Sequence, residues 1–192
     1  MTVNPYNHVS VNLQLSNVQQ VGHSERYGYG VDIEYRHSFG HLTLGGDIGT
    51  NKMGDASPRF QTEGEAEQYS TDGQTLGYIA ALVGRDFLGL GGNISVGAGP
   101  GRYNQWEDLT FVGDQGDLEL EHHDDSGRTV VLLANALLYV PLPEGQWNGR
   151  GTGNIPQISF GMSAAYAVGS PNPVMAFFRI GFGGTFLSDS EQ

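Results

Sequence analysis

The 192-residue chain carries nine Lys and Arg against 21 Asp and Glu, a formal charge of −12, with 30 glycines and no cysteine. So acidic a chain, with Lys52 its single lysine, lacks the basic surface that neutralises phosphates, so no nucleic acid is expected as a partner. Without cysteine there is no disulfide frame, thiolate zinc site or thiol nucleophile. Only 16% of residues are charged, whereas hydrophobic content is an ordinary 38%, and the difference has gone to Gly, Ser, Asn, Gln and Thr.

The longest apolar stretches, such as Val130 to Ala134, fall far short of the ~18 residues a membrane helix needs. Met1-Thr2-Val3-Asn4-Pro5 shows no basic region followed by an apolar run, so no export signal is read there. One domain over residues 1–192 is expected, with 187–192 a short polar tail.

The organising signal is alternation with period 2, the mark of strands with two chemically different faces. Val9, Val11, Leu13 and Leu15 alternate with Ser10, Asn12, Gln14 and Ser16. Tyr27, Tyr29, Val31, Ile33 and Tyr35 then oppose Gly28, Gly30, Asp32, Glu34 and Arg36. After a turn at Phe39-Gly40, Leu42, Leu44 and Ile48 alternate with Thr43, Gly45 and Asp47, a hairpin signal. Further strands are expected at Leu76 to Asp86, Asn93 to Gly99, Thr129 to Val140, Ile158 to Val168 and Pro173 to Phe186. No helical period competes, and about eight strands, a common barrel number, are predicted. Short connections near Gly40 and Leu88 to Gly91 contrast with long polar ones, Asn51 to Thr71 and Tyr103 to Arg128. Pro143 to Asn154 and Gly169 to Asn172 break that alternation of loop lengths.

A barrel can turn its apolar face inward or toward lipid, and the opposite face decides. Ser159, Gly161, Ser163, Ala165 and Ala167 make an implausible solvent surface, which is usually rich in Lys and Glu. The same small residues suit the interior of a narrow barrel, leaving the apolar face to lipid. Tyr27, Tyr29, Tyr35, Phe160, Tyr166, Phe178, Phe182 and Phe186 then point outward as membrane anchors. A soluble ligand-binding barrel is the alternative.

With these strands and the ending Phe178-Arg179-Ile180-Gly181-Phe182-Gly183-Gly184-Thr185-Phe186, the chain resembles the small bacterial outer-membrane β-barrels, such as outer-membrane protein X and the transmembrane domain of outer-membrane protein A. The resemblance implies an all-β, antiparallel transmembrane meander barrel in a bacterial outer membrane, with both termini in the periplasm and long acidic loops outside. In that family the last aromatic usually ends the chain, whereas here Leu187 to Gln192 follow.

Asp32, Glu34, Arg36, Asp47 and Arg179 share the inner parity, and buried charges must be paired. They predict a salt-bridge network, either a static plug or the gate of a narrow ion-conducting pore. The strands at Leu76 and Thr129 are apolar on both faces. Ile79, Val83, Gly97, Leu133 and Leu137 are therefore expected to line an apolar pocket, the basis for a lipid-binding or lipid A-modifying alternative. His23-Ser24 falls in the first expected loop and His37-Ser38 near the first short turn, and because neighbours in an extended strand point to opposite faces such sequential pairs are poorly placed for proton transfer, so no catalytic residue is assigned. The acidic stretch holds Asp117, Glu119, Glu121, Asp124 and Asp125 in no EF-hand spacing, which makes it a weak metal candidate and a solvated loop first, although Asp117 to His122 also alternates and a strand extending beyond the membrane is an expectation there. Gly97 to Gly101 and Gly149 to Gly153 read as turns or bulges, and Ser163 lacks a nucleophile elbow. No cofactor is expected. Membrane lipid and lipopolysaccharide are the expected partners, with a surface protein engaged through the acidic loops.

Overall fold

The computed structural model describes residues 6–19, 25–55, 59–63, 66–87, 91–112, 118–142, 154–170 and 174–187. They form nine strands: β1 (Tyr6–Gln19), β2 (Glu25–Phe39), β3 (Leu42–Asp55), β4 (Arg59–Glu63), β5 (Ala66–Phe87), β6 (Gly92–Val112), β7 (Leu118–Pro141), β8 (Asn154–Ala167) and β9 (Val174–Leu187). Every pairing is antiparallel between chain neighbours, except that β3 bypasses β4 to pair with β5 and β1 pairs with β9. Eight strands thus close a ring in the order β1, β2, β3, β5, β6, β7, β8, β9. Closure leaves the barrel wall without an unpaired edge.

Period 2 does what the sequence leads one to expect. Val11 pairs with Ile33 and with Phe182, and all three lie on the outer face, while their neighbours Asn12, Asp32 and Gly181 point inward. Phe39 and Leu42 are joined by a two-residue turn in which Gly40 has φ of 72°, a left-handed conformation suited to glycine in a tight hairpin. This turn, the start of β1 and the end of β9 lie together at one end of the barrel, called here the terminal end.

At the other end the strands differ in length. β1, β2, β3, β8 and β9 run 14 or 15 residues, whereas β5, β6 and β7 run 22, 21 and 24. β7 pairs with β8 only over Val131 to Pro141, but continues against β6 as far as Leu118 opposite Val112. With β4 folded back on β5, a four-stranded sheet rises beyond the rim. The connections expected at Asn51 to Thr71 and Tyr103 to Arg128 are thus mostly strand. Where both faces of a strand meet water, the hydrophobic alternation that reveals a strand fades. Short β4 was likewise not visible in the sequence.

Candidate functional site

Three layers of side chains fill the interior. At the terminal end Tyr6 on β1 donates its hydroxyl to Asp86 on β5. Asn93 on β6 donates its amide to Asp86 (2.9 Å) and to Thr43 (3.1 Å). His8 meets Thr185 at 3.3 Å and its ring lies 4.8 Å from that of Tyr139. These contacts tie strands from across the ring into a polar cap.

The middle layer holds the charges. The parity of β2 turns Asp32, Glu34 and Arg36 to one face, and the pairing Glu34 to Asp47 brings β3 alongside. Arg179 reaches in from β9 with no exposed surface. It donates to Asp32, lies 3.1 Å from Glu34 and 3.4 Å from Asp47, and donates to Ser163 at 3.2 Å. Arg36 pairs with Glu34 and lays its guanidinium over Tyr139 at 4.8 Å from the ring centroid. Asn12 donates to Asp32 at 2.7 Å, and Gln14 donates to Asp32 and to Tyr78 (3.2 Å). The five residues of the expected charge network therefore lie together in the lumen. Charges in so confined a space are held by one another, because separating them would leave each desolvated and unpaired. Oxygens of Asp32, Glu34 and Asp47 lie within 4.8 Å of one another, the only such carboxylate group among the described residues. The cation they surround is the Arg179 guanidinium, which contacts all three.

Toward the loop end the lumen turns apolar. Leu76, Tyr78, Ala80 and Leu82 on β5 pack with Val131 and Leu133 on β7, Ala165 and Ala167 on β8, Met175 and Phe177 on β9, and Met53 on β3. Beyond them Gln74 donates to Ser170 at 3.1 Å. This plug corrects the expected pocket. Leu133 and Leu137 do point inward, at 5% and 1% exposure, but Ile79 (59%) and Val83 (45%) stand on the outer face. The period of β5 puts its even-numbered residues inside, so the inner apolar partners are Leu76, Tyr78, Ala80 and Leu82. Gly97 lies in a groove of about 740 Å³ with Leu44, Ala81, Val83, Val96, Ala98 and Leu132, most of whose lining belongs to the outer face. Sequence reasoning missed Met175 and Phe177 as inner residues, although the inward Arg179 fixes their parity.

The eight expected aromatic anchors, Tyr27, Tyr29, Tyr35, Phe160, Tyr166, Phe178, Phe182 and Phe186, are all exposed on the outside. They share that surface with Val11, Val31, Ile33, Ile48, Ile94 and Ile180. Of the acidic set, Asp117 lies outside the described residues and Glu119 falls within β7. Glu121, Asp124 and Asp125 are exposed on the rising part of β7, where alternation sends Asp124 to the face opposite the other two. A strand thus divides what a loop was expected to gather. His122 meets Asp108 at 2.6 Å on this sheet, and the hydrogen bond to Asp108 raises the imidazole above its ordinary value. His37 is bonded to Asn7 (2.7 Å) while Ser38 points into the lumen and donates to the Gly40 carbonyl (2.9 Å), so the pair does not share a proton. His23-Ser24 lies outside the described residues.

No family model and no curated relative matches the chain. Among solved structures, Ail, the attachment invasion locus protein of Yersinia pestis, superposes with a TM-score of 0.51 at 12% identity over 96% of this chain and 100% of that one. Neisserial surface protein A gives 0.36 at 11% identity, covering 95% and 97%. The N-terminal β-barrel domain of Pseudomonas aeruginosa OprF gives 0.37 at 10%, covering 95% and 98%. At such identity the likeness to Ail is one of fold, and the chain has the architecture of a small outer-membrane barrel.

Proposed function

We propose that the protein is an outer-membrane β-barrel with a structural and surface-interaction role, whose lumen is closed rather than conducting. One observation carries the reading: the chemistry of the wall is inverted, with an apolar exterior and a charged layer of fully buried Asp32, Glu34, Arg36 and Arg179 inside. A protein in water would gain nothing from exposing Val11, Ile33, Ile79 and Phe182 while burying arginine, whereas lipid favours that arrangement. Strands of 14 residues exceed the ~9–11 that cross a bilayer. The sheet of β4, β5, β6 and β7 would stand clear of the membrane and offer an acidic surface to a partner. Lipid and lipopolysaccharide are the partners of the belt.

The test is refolding. The purified chain should remain unfolded or aggregated in plain buffer, gain β circular dichroism on addition of detergent or lipid vesicles, and then migrate differently on a gel before and after boiling. A monomer folded in buffer would overturn the reading. In planar bilayers the folded barrel should show no steady open channel, because the apolar plug lies in series with the charged layer. A sustained ohmic conductance would instead make it a pore.

A further inference from the structure

The register of β6 and β7 places Arg102 directly opposite Arg128. Both are exposed on the outer face, and neither has a carboxylate within 4 Å among the described residues. Like charges paired across two strands destabilise a sheet, so this pair calls for an anion from outside the chain. Its surroundings indicate which kind. The outer residues at the same level are Val31, Thr50 and Gly77. One step toward the terminal end lie Ile33, Ile48, Ile79, Pro100 and Val130, the start of the apolar belt. One step the other way lie Tyr29, Lys52, Thr75, Asn104 and Ser126. The Lys52 amine stands 5.1 Å from the centre of the Trp106 ring. Between Thr50 and Arg102 the surface is notched, because a side chain added at Gly77 would meet nothing within 4 Å.

We infer that Arg102, Arg128 and Lys52 bind the phosphate of an anionic glycolipid headgroup in the outer leaflet, seated in the Gly77 notch with its acyl chains against Ile48, Ile79 and Val130. The inference rests on the outer-membrane reading above and names a site within it. Guanidinium groups suit phosphate by offering paired donors, and a cation at the edge of an apolar belt meets a headgroup where water is already scarce. Clustering on one side of the barrel, at β3, β6 and β7, makes the contact local rather than a general attraction.

Barrels folded in detergent would be mixed with bisphosphorylated lipid A, with the same lipid stripped of phosphate, or with inorganic phosphate, and bound species counted by native mass spectrometry. The wild type should retain the bisphosphorylated lipid about tenfold better than the stripped one. Arg102→Gln with Arg128→Gln should abolish that preference, whereas Arg85→Gln on the outer face at the terminal end should keep it. Gly77→Val fills the notch without changing charge and should weaken retention in a strand-compatible way. Equal retention of both lipids by a barrel that inserts normally would overturn this site and leave the membrane reading intact. Failure to insert at all would overturn both. Inorganic phosphate that displaced the lipid at equal concentration would overturn the commitment to a lipid headgroup.

Discussion

Arg36 on β2 and Tyr139 on β7 stand on opposite sides of the ring, yet the guanidinium carbon lies 4.8 Å from the centre of the tyrosine ring. That contact bridges the lumen where the polar cap meets the charged layer. Burial strengthens it, because a cation over an aromatic face gains most when neither is hydrated. Tyr139→Phe keeps the ring and should alter stability little. Tyr139→Ala removes it and should cost about 3–5 kcal/mol, read as a lower urea midpoint for unfolding from lipid vesicles.

Arg179 makes a larger demand on its neighbours. Among the described residues it is the one cation that touches Asp32, Glu34 and Asp47 together, so Arg179→Met leaves three carboxylates in a space that water barely enters. Removing one partner of a buried ionic group typically costs about 3–5 kcal/mol. Adding Asp32→Asn should recover part of the loss, since it also removes a charge. Single-channel conductance of Arg179→Met should stay at the wild-type level, because the plug of Leu76, Leu133 and Phe177 remains above it. A rise in conductance would locate the gate in the ionic layer.

The wall has a tight point where Gly99 faces β5. A Cβ there would lie 1.9 Å from the Ile79 carbonyl oxygen and 2.7 Å from the Ala80 Cα. Backbone atoms cannot give way as a flexible side chain can, so Gly99→Val should shift or break the β5–β6 register. By contrast, Gly40→Ala meets no atom within 4 Å and suffers only from its φ of 72°, at about 1–2 kcal/mol. Gel mobility before and after boiling would separate the two, with the folded band lost for Gly99→Val and retained for Gly40→Ala.

On the rising sheet, His122 and Asp108 are directly opposite each other on β7 and β6. The hydrogen bond to Asp108 raises the His122 value above 6.5. A raised folded value means that this pair's contribution is complete below about pH 6.5 and is lost as pH climbs through the raised value. Amide exchange near Leu120 should therefore speed up across that window, and Asp108→Asn should remove the change. A chemical-shift titration of His122 at or below the ordinary imidazole value would contradict the pairing.

The parts of the molecule legible in the sequence are those where two faces meet two different solvents. In β1 and β2, serine, asparagine or charge alternates with large apolar residues, and the inner residues from Ser10 to Ser16 and from Gly28 to Arg36 could be named, while Tyr6 and His8 before that alternation could not. In β5 and β7 both faces are apolar, one meeting the outer environment and the other the plug, and period 2 carries no contrast. The anchors that would have settled the parity were single polar residues. Asp86 places the even-numbered residues of β5 inside, and Asn135 places the odd-numbered residues of β7 there. The rising sheet was mostly obscured for the opposite reason, since its faces are largely polar, and only the alternation of Asp117 to His122 hinted at the extension of β7. Cross-strand pairs such as Arg102 with Arg128 depend on register, which no single strand records.

The corrected parity of β5 can be tested at two adjacent residues. Ile79 points outward at the loop-side edge of the belt and Ala80 inward to the plug. An outward Ile79→Arg places a charge at the edge of the lipid belt and should cost about 1–2 kcal/mol, less than the ~2–4 kcal/mol of a charge at the bilayer midplane. Ala80→Leu enlarges a packed interior residue and should cost about 1–3 kcal/mol through strain. The two separate by environment as well as size, because in detergent the Ile79→Arg penalty should shrink as the micelle deforms around the charge, whereas the Ala80→Leu penalty should persist. Unfolding midpoints in vesicles and in micelles give all four values. An Ile79→Arg penalty unchanged between the two media would return Ile79 to the interior, and with it the apolar pocket.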